Sequence, residues 1–199
     1  MANLDQPTGF TPVRHFTGGT IRYDDSFTIA SAYDTSIFTG DVVSMAGTRA
    51  GRDIALTADG AAEIIGIFAG CHYTAESGDV VWSPYWPADT ATAGAVDAVA
   101  HVFTDPNIVY EVQSDGIAAA TVVGQYADMV STHAGSAVTG RSGEEIAGAS
   151  TSNDILQVKI IGSAPQADGI SASDLATANS RWFVMIAEGE YVGTLRSVS

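Results

Sequence analysis

The chain has 199 residues, and its 23 acidic and 8 basic side chains give a formal net charge of −15 at pH 7. So few cations disfavour nucleic acid and anionic membrane surfaces as partners, because both are bound through basic side chains. The single cysteine, Cys71, excludes an intramolecular disulfide. No apolar run is long enough for a transmembrane helix, and the start lacks the regions of a secretory signal. We therefore expect an intracellular protein, or one released by lysis or within a particle.

Residues 1–19 are predicted to form an extended N-terminal arm, and residues 20–199 a β-rich domain. Prolines and glycines recur along the arm, and they disfavour a helix and interrupt a strand ladder. Phe10, Val13 and Phe16 are its apolar positions. Two interpretations stay open: a frayed terminus, or an arm that lies on a neighbouring subunit.

Residues 20–90 are typical of short β-strands separated by turns rich in glycine and aspartate. The predicted strands cover residues 21–23, 27–30, 42–45, 54–57, 64–71 and 80–82. The run 64–71 is almost continuously apolar and contains Gly66 and Gly70. This pattern predicts a strand buried on both faces, with the glycines at bends or at close backbone approaches.

The stretch "WSPYWP", residues 82–87, combines three aromatic side chains with two prolines. We interpret it as a structural corner whose rings are buried, because large aromatic side chains commonly dominate core burial. A sugar-binding platform formed by Trp82, Tyr85 and Trp86 and a proline-rich ligand are the alternatives.

The second half of the chain continues the β pattern. Residues 88–98 are predicted to form a loop that could subdivide the domain, and residues 101–104 and 108–113 a hairpin around the turn 105–107. One or two helical turns are expected near 118–120, a long surface excursion over 131–153, a strand over 154–161, a short helix over 171–178 and a closing strand over 181–187. The fold class is therefore all-β: a compact barrel or sandwich with an extended N-terminal arm and one or two short helices.

Residue chemistry gives no indication of catalysis. Cys71 and His72 are adjacent on a predicted strand, so their side chains point to opposite faces and cannot act as nucleophile and base. The four histidines lie far apart in sequence without a metal-binding spacing, and no glycine-rich stretch has the pattern of a phosphate loop. We predict no catalytic, cofactor or metal site and no enzymatic activity.

Eight phrases spread over nearly the whole chain are similar, in order, to phrases of one protein family. They are "PTGFTPVRHFTGG" (7–19), "FTGDVV" (38–43), "IIGIFAGC" (64–71), "YWPADT" (85–90), "DPNIVYEVQSDG" (105–116), "VGQYADM" (123–129), "LQVKIIG" (156–162) and "ANSRWFVMIAEGEY" (178–191). As a series, they resemble the capsid decoration, or cement, proteins of tailed bacteriophages. The chain departs from the family at its end, where Glu188 and Glu190 stand in place of a basic phrase, so no electrostatic contact is carried over there.

The resemblance implies a structural virion protein on the outer surface of the phage head. Such a protein binds the major capsid protein, forms a homotrimer at local threefold positions, and stabilises the shell against the pressure of packaged DNA. The expected partner-interface residues lie on the arm: Phe10, Pro12, Val13, Arg14 and Phe16. Another head or tail component and a carbohydrate-binding host-adhesion module are the alternatives.

Overall fold

The computed structural model describes residues 3–46, 52–61, 63–164, 175 and 177–189. Strands dominate this part of the chain, which confirms the all-β prediction, and the sheets are open rather than closed into a barrel. The strands are β1 (Thr11–His15), β2 (Asp24–Ile29), β3 (Ile37–Phe38), β4 (Val42–Met45), β5 (Ile54–Leu56), β6 (Gly66–Thr74), β7 (Val80–Ser83), β8 (Tyr85–Trp86), β9 (Ala98–Phe103), β10 (Ile108–Gln113), β11 (Tyr126–Ala127), β12 (Met129–Val130), β13 (Glu145–Ile146), β14 (Val158–Ser163) and β15 (Arg181–Ile186). Short 3-10 turns lie at Ala93–Ala95 and Ala120–Val122. None of the helical segments in these residues is long and apolar enough to cross a membrane.

Two antiparallel sheets carry most of the fold. One has the order β1-β10-β15-β14-β11, and the other the order β2-β9-β6-β4-β5 with β7 paired to β6. In β15 the side chains of Trp182, Val184 and Ile186 are buried and those between them are half-buried, as the alternation predicts. The predicted strand over 154–161 begins later, at Val158.

The six-stranded sheet is buried on both faces along β4 and the start of β6. Ile67 packs into the core shared with the five-stranded sheet, whereas its neighbour Phe68 packs into a second core on the opposite face. Gly66 permits the close approach of β9, because a Cβ there would lie 2.2 Å from the Phe103 carbonyl oxygen. Gly70 has a φ of 133° and lies where the β6–β9 register shifts. The predicted burial on both faces and the roles of the two glycines are therefore confirmed, although the strand covers Gly66–Thr74 rather than residues 64–71.

The predicted hairpin over residues 101–113 is wrong in its pairing. Both strands exist, but β9 pairs with β2 and β6, whereas β10 pairs with β1 and β15. The turn around Asp105 therefore carries the chain from one sheet to the other. Alternation predicts which residues face a core, but it does not say which strands are neighbours.

The N-terminal arm is also a correction, because residues 11–15 form an edge strand of the chain's own five-stranded sheet. β1 pairs with β10, and Pro12 lies beside the shift in their register. Phe10 is 1% exposed, and its ring packs edge-on against Tyr110 at 6.4 Å between ring centroids. An edge strand tolerates a proline, since one side of it makes no ladder hydrogen bonds.

The predicted surface excursion over 131–153 is wrong in its middle. Residues 142–146 are buried, and β13 pairs with β12. Glu144 reaches inward and accepts a hydrogen bond from the Val42 backbone N–H at 2.8 Å. Residues 88–98 do not separate two sheets, because β2 and β9 from either side of them pair with each other. The predicted helix over 171–178 lies largely outside the described residues.

Candidate interaction surface

Strand β7 presents apolar side chains to solvent. Its burial alternates, so that Val80 and Trp82 are 65% and 67% exposed while Val81 and Ser83 are half-buried. Trp82 is paired with His72 of β6, and their rings stack at 4.2 Å between centroids with an angle of 20°. A tryptophan held in a fixed orientation yet largely exposed is a preferred anchor for a binding partner.

Two histidines lie beneath the Trp82 ring. His72 Nδ1 lies 3.2 Å from His101 Nε2, while the ring centroids are 5.2 Å apart and the planes differ by 26°. This geometry places the imidazoles side by side with an N–H···N hydrogen bond between them. The Trp82 ring is nearly parallel to His101 at 5.6 Å. Burial, followed by the neighbouring His72, lowers the pKa of His101.

Tyr23 completes this group from the segment that precedes β2. Its ring packs edge-on against His101 at 4.6 Å and against Phe103 at 6.4 Å, and it remains 53% exposed. A hollow of about 330 Å³ is lined by Tyr23, Trp82, His101 and Ser83 among others. A second hollow, of about 360 Å³, lies between His72, Val80 and the 69%-exposed Val96.

We call the exposed residues of this region the outer face: Tyr23, Val80, Trp82 and Val96, together with the partly exposed His72. His101 and Phe103 alternate with Ala100 and Val102, which point into the second core. The outer face is therefore on the side of the six-stranded sheet that carries the core shared with the five-stranded sheet. The outer face occupies a part of that side which the shared core leaves uncovered.

Sequence reasoning missed the outer face because its residues come from separate strands. His72 and His101 are 29 positions apart and meet only through the β6–β9 pairing. The signal that the sequence did contain is the alternation of Val80 and Trp82 in β7, which predicts one exposed apolar face if that strand lies at a sheet edge.

The residues predicted on the arm divide between core and surface. Phe10 is in the core and Pro12 is half-buried, whereas Val13 and Phe16 are 41% and 56% exposed. The Arg14 guanidinium is exposed and lies over the Phe183 ring, 5.9 Å from its centroid. The exposed arm residues are therefore Val13 and Arg14 of β1, and Phe16, which follows it.

The turn between β9 and β10 lies between the β1 edge of the five-stranded sheet and the outer face. The Phe16 backbone N–H donates to the Asn107 carbonyl oxygen at 2.8 Å, and His15 Nε2 lies 3.0 Å from Asp105 Oδ2. At the β9 end of the turn, Phe103 contacts Tyr23. The exposed aromatic residues Phe16 and Tyr23 therefore lie near the two ends of this turn.

The three aromatic residues of "WSPYWP" do not form one platform. Trp86 is fully buried and donates through Nε1 to the Tyr33 carbonyl oxygen at 3.3 Å. Tyr85 stacks on Phe38 at 5.3 Å between centroids. The corner prediction is confirmed for Trp86, whereas Tyr85 is half-buried and Trp82 is exposed.

Cys71 is a core residue, as its position on β6 predicts. It is 1% exposed, its Sγ lies 3.6 Å from the Tyr85 carbonyl oxygen, and burial raises its pKa to about 12. His72 packs on the opposite face of the sheet against Trp82. Since a thiol in this state is a poor nucleophile, the two residues do not form a catalytic pair.

Two buried carboxyl groups lie beneath the N-terminal segment. Asp41 Oδ2 accepts from the Phe38 backbone N–H at 2.7 Å, and burial raises the pKa of Asp41 to about 6. Burial, and then the nearby charge of Asp41, raise the pKa of Glu144 well above its ordinary value. Both groups hold backbone N–H groups of the β3–β4 region, so their role in the fold is to satisfy buried donors.

Comparison with protein-family models, with curated proteins and with solved structures gave no match.

Proposed function

We propose that this protein is a capsid decoration protein of a tailed bacteriophage. It binds the outer surface of the head and bridges subunits of the major capsid protein, with no catalytic role. The observation that carries the proposal is the exposed apolar surface formed by the outer face and by Val13 and Phe16 of the N-terminal segment. The serial resemblance of the sequence to cement proteins gives this surface its partner.

The chemistry of the surface suits protein contacts. Tryptophan and tyrosine are enriched at interface hot spots, and exposed apolar patches mark interaction sites on soluble proteins. Trp82 is held by its stacking on His72, and Tyr23 by its contact with His101. Such preorganised side chains lose little conformational entropy when a partner covers them.

The edge strand β1 offers a second mode of binding. β1 pairs with β10 on one side and ends the sheet order on the other. An exposed strand edge can accept a strand from a neighbouring subunit. Three copies around a local threefold position would each contribute modest contacts, and linked contacts of this kind gain affinity through multivalency.

The proposal is tested by adding the purified chain to shells assembled from the major capsid protein of the same phage, and measuring occupancy by co-sedimentation. Trp82→Ala removes a hot-spot side chain, which costs about 2 kcal/mol or more, so we expect affinity to fall at least about 30-fold. Phe16→Ala should weaken binding in the same direction.

Ile117→Ala is the matched control. Ile117 is 57% exposed but follows the end of β10 that lies away from the turn to β9, so its loss should leave occupancy unchanged. Undiminished binding of Trp82→Ala and Phe16→Ala, with both variants folded, would contradict the proposed surface. Failure of the parent chain to bind shells would contradict the function itself.

A carbohydrate-binding adhesion module is the second candidate. The observation that favours it is the exposed Trp82 beside a hollow that also presents Tyr23, Ser83 and His101, since aromatic rings and polar groups together suit a sugar ring. Binding of the free chain to glycans, lost in Trp82→Ala and retained in Ile117→Ala, would support this candidate against the first.

A further inference from the structure

Asp5, His133 and Glu145 form a group of potential metal ligands that the sequence does not reveal. Each offers one donor atom, and these atoms all lie within 4.8 Å of one another. The residues are far apart along the chain: Asp5 precedes β1, whereas His133 and Glu145 lie in the stretch that was predicted to be a surface excursion. It is the one group of three metal-ligating side chains among the described residues.

The three side chains are near enough to share one ion, although His133 meets the two carboxylates through different ring nitrogens. His133 Nδ1 lies 3.1 Å from Glu145 Oε2, and His133 Nε2 lies 3.5 Å from Asp5 Oδ2. One ion binds only one imidazole nitrogen, and ligand atoms around a tetrahedral zinc ion, at bond lengths near 2.1 Å, are separated by about 3.4 Å. The donor atoms, which lie within 4.8 Å of one another, must therefore draw together around the ion. The side chains of His133 and Asp5 are 43% and 51% exposed, so both have room to turn toward a shared ion.

Glu145 is the buried member of this group. Its side chain is 1% exposed, and its Oε1 is buried without a hydrogen-bond partner. The other oxygen, Oε2, accepts from the Thr132 hydroxyl and faces His133. A buried carboxylate with an unpartnered oxygen is costly unless a cation or a donor compensates it.

We propose that Asp5, His133 and Glu145 bind a divalent transition-metal cation of the zinc type. One imidazole nitrogen and two carboxylate oxygens are ligands that zinc accepts, whereas calcium and magnesium prefer oxygen alone. The Thr132 hydroxyl holds the Glu145 carboxylate in place, as residues behind the ligands of metal sites do. The bound ion ties the N-terminal segment before β1 to β13 and to the segment that precedes it.

The test is calorimetric titration of the full chain with zinc chloride after dialysis against EDTA. We expect one ion per chain, and a loss of affinity of at least about 10-fold in His133→Ala and in Asp5→Asn, since even residues behind the ligands contribute about 10–100-fold. Both side chains are exposed, so these variants should fold. Zinc at about 100 times its Kd should raise the unfolding midpoint of the parent chain by about 5–10 °C, and not that of His133→Ala.

His15→Ala is the matched control, because His15 also lies beside a carboxylate, Asp105, but with no third ligand among the residues that the structure describes. It should bind zinc as the parent chain does, and calcium should bind no form of the chain at the site. The proposal is overturned if the parent chain binds no zinc, or if His133→Ala and Asp5→Asn leave binding unchanged. Loss of zinc binding in His72→Ala rather than in His133→Ala would also overturn it, since the ion would then belong to the histidines under Trp82.

Discussion

Replacing Asp41 with asparagine should make the protein more stable at neutral pH. Asp41 is 5% exposed, and its burial raises its pKa from the ordinary 3.8 to about 6. A pKa difference of about 2 corresponds to about 3 kcal/mol between the two protonation states. Asparagine is uncharged at every pH and retains an oxygen that can accept the hydrogen bond of the Phe38 N–H, which Asp41 accepts at 2.7 Å.

The sign follows from proton linkage. Because the folded state binds the Asp41 proton more tightly than the unfolded state, this group stabilises the fold most below pH 3.8. Its contribution decreases as the pH rises and reaches a constant lower value above about pH 6. The stability of Asp41→Asn relative to the parent chain should therefore rise by about 3 kcal/mol between pH 3.5 and pH 7. Relief of the raised pKa of Glu144, which the Asp41 charge helps to raise, adds in the same direction.

Urea denaturation at several pH values measures this difference directly, since effects common to both chains cancel. Asp105→Asn is a control for which the stability difference should change with pH in the opposite direction. Although partial burial acts to raise the pKa of Asp105, hydrogen bonds from the Asn107 backbone and from His15 hold it below its ordinary value. That variant should lose stability relative to the parent as the pH rises. If the stability difference between Asp41→Asn and the parent chain does not change with pH, burial does not raise the pKa of Asp41 and the reasoning is refuted.

Three further predictions concern packing. Phe10→Ala should destabilise the fold by about 3–5 kcal/mol in urea denaturation, because Phe10 is buried. Phe16→Ala, at an exposed position, should change stability by less than about 0.5 kcal/mol. Equal effects of the two substitutions would mean that residue 10 belongs to a free arm. Gly66→Ala should lower the free energy of unfolding by about 1–3 kcal/mol or more, since the new Cβ would meet a carbonyl oxygen of β9 at 2.2 Å. Gly162→Ala should leave stability nearly unchanged, because the space around Gly162 is open. Cys71 should resist a thiol reagent at pH 8 until the protein unfolds, and rapid labelling of the native chain would contradict its burial.

The sequence predicted the strands well where side-chain alternation or an apolar run was strong. The burial of Trp182, Val184 and Ile186 follows directly from the two-residue period of β15. The close approach at Gly66 likewise follows from a glycine within an apolar run. These are local features, and local patterns report which faces of a strand are buried.

Pairing partners could not be predicted, because they are set by contacts between distant residues. β1 meets β10 about 100 positions later, so the proline-containing segment around Phe10 has the local pattern of an arm although it completes a core. Glutamate is ordinarily found at the surface, so the sequence favours a surface loop at Glu144. Only its hydrogen bond to Val42 explains its burial. The proximity of His72 to His101 depends on the β6–β9 register in the same way.

Cryo-electron microscopy of phage particles that contain this chain tests the central claim most directly. We predict density for three copies on the outside of the shell at each local threefold position, with Trp82 and Phe16 covered by the major capsid protein or by a neighbouring copy. Density confined to the tail or to the interior of the shell would contradict the decoration role, and so would copies on the outer surface that leave both residues exposed to solvent.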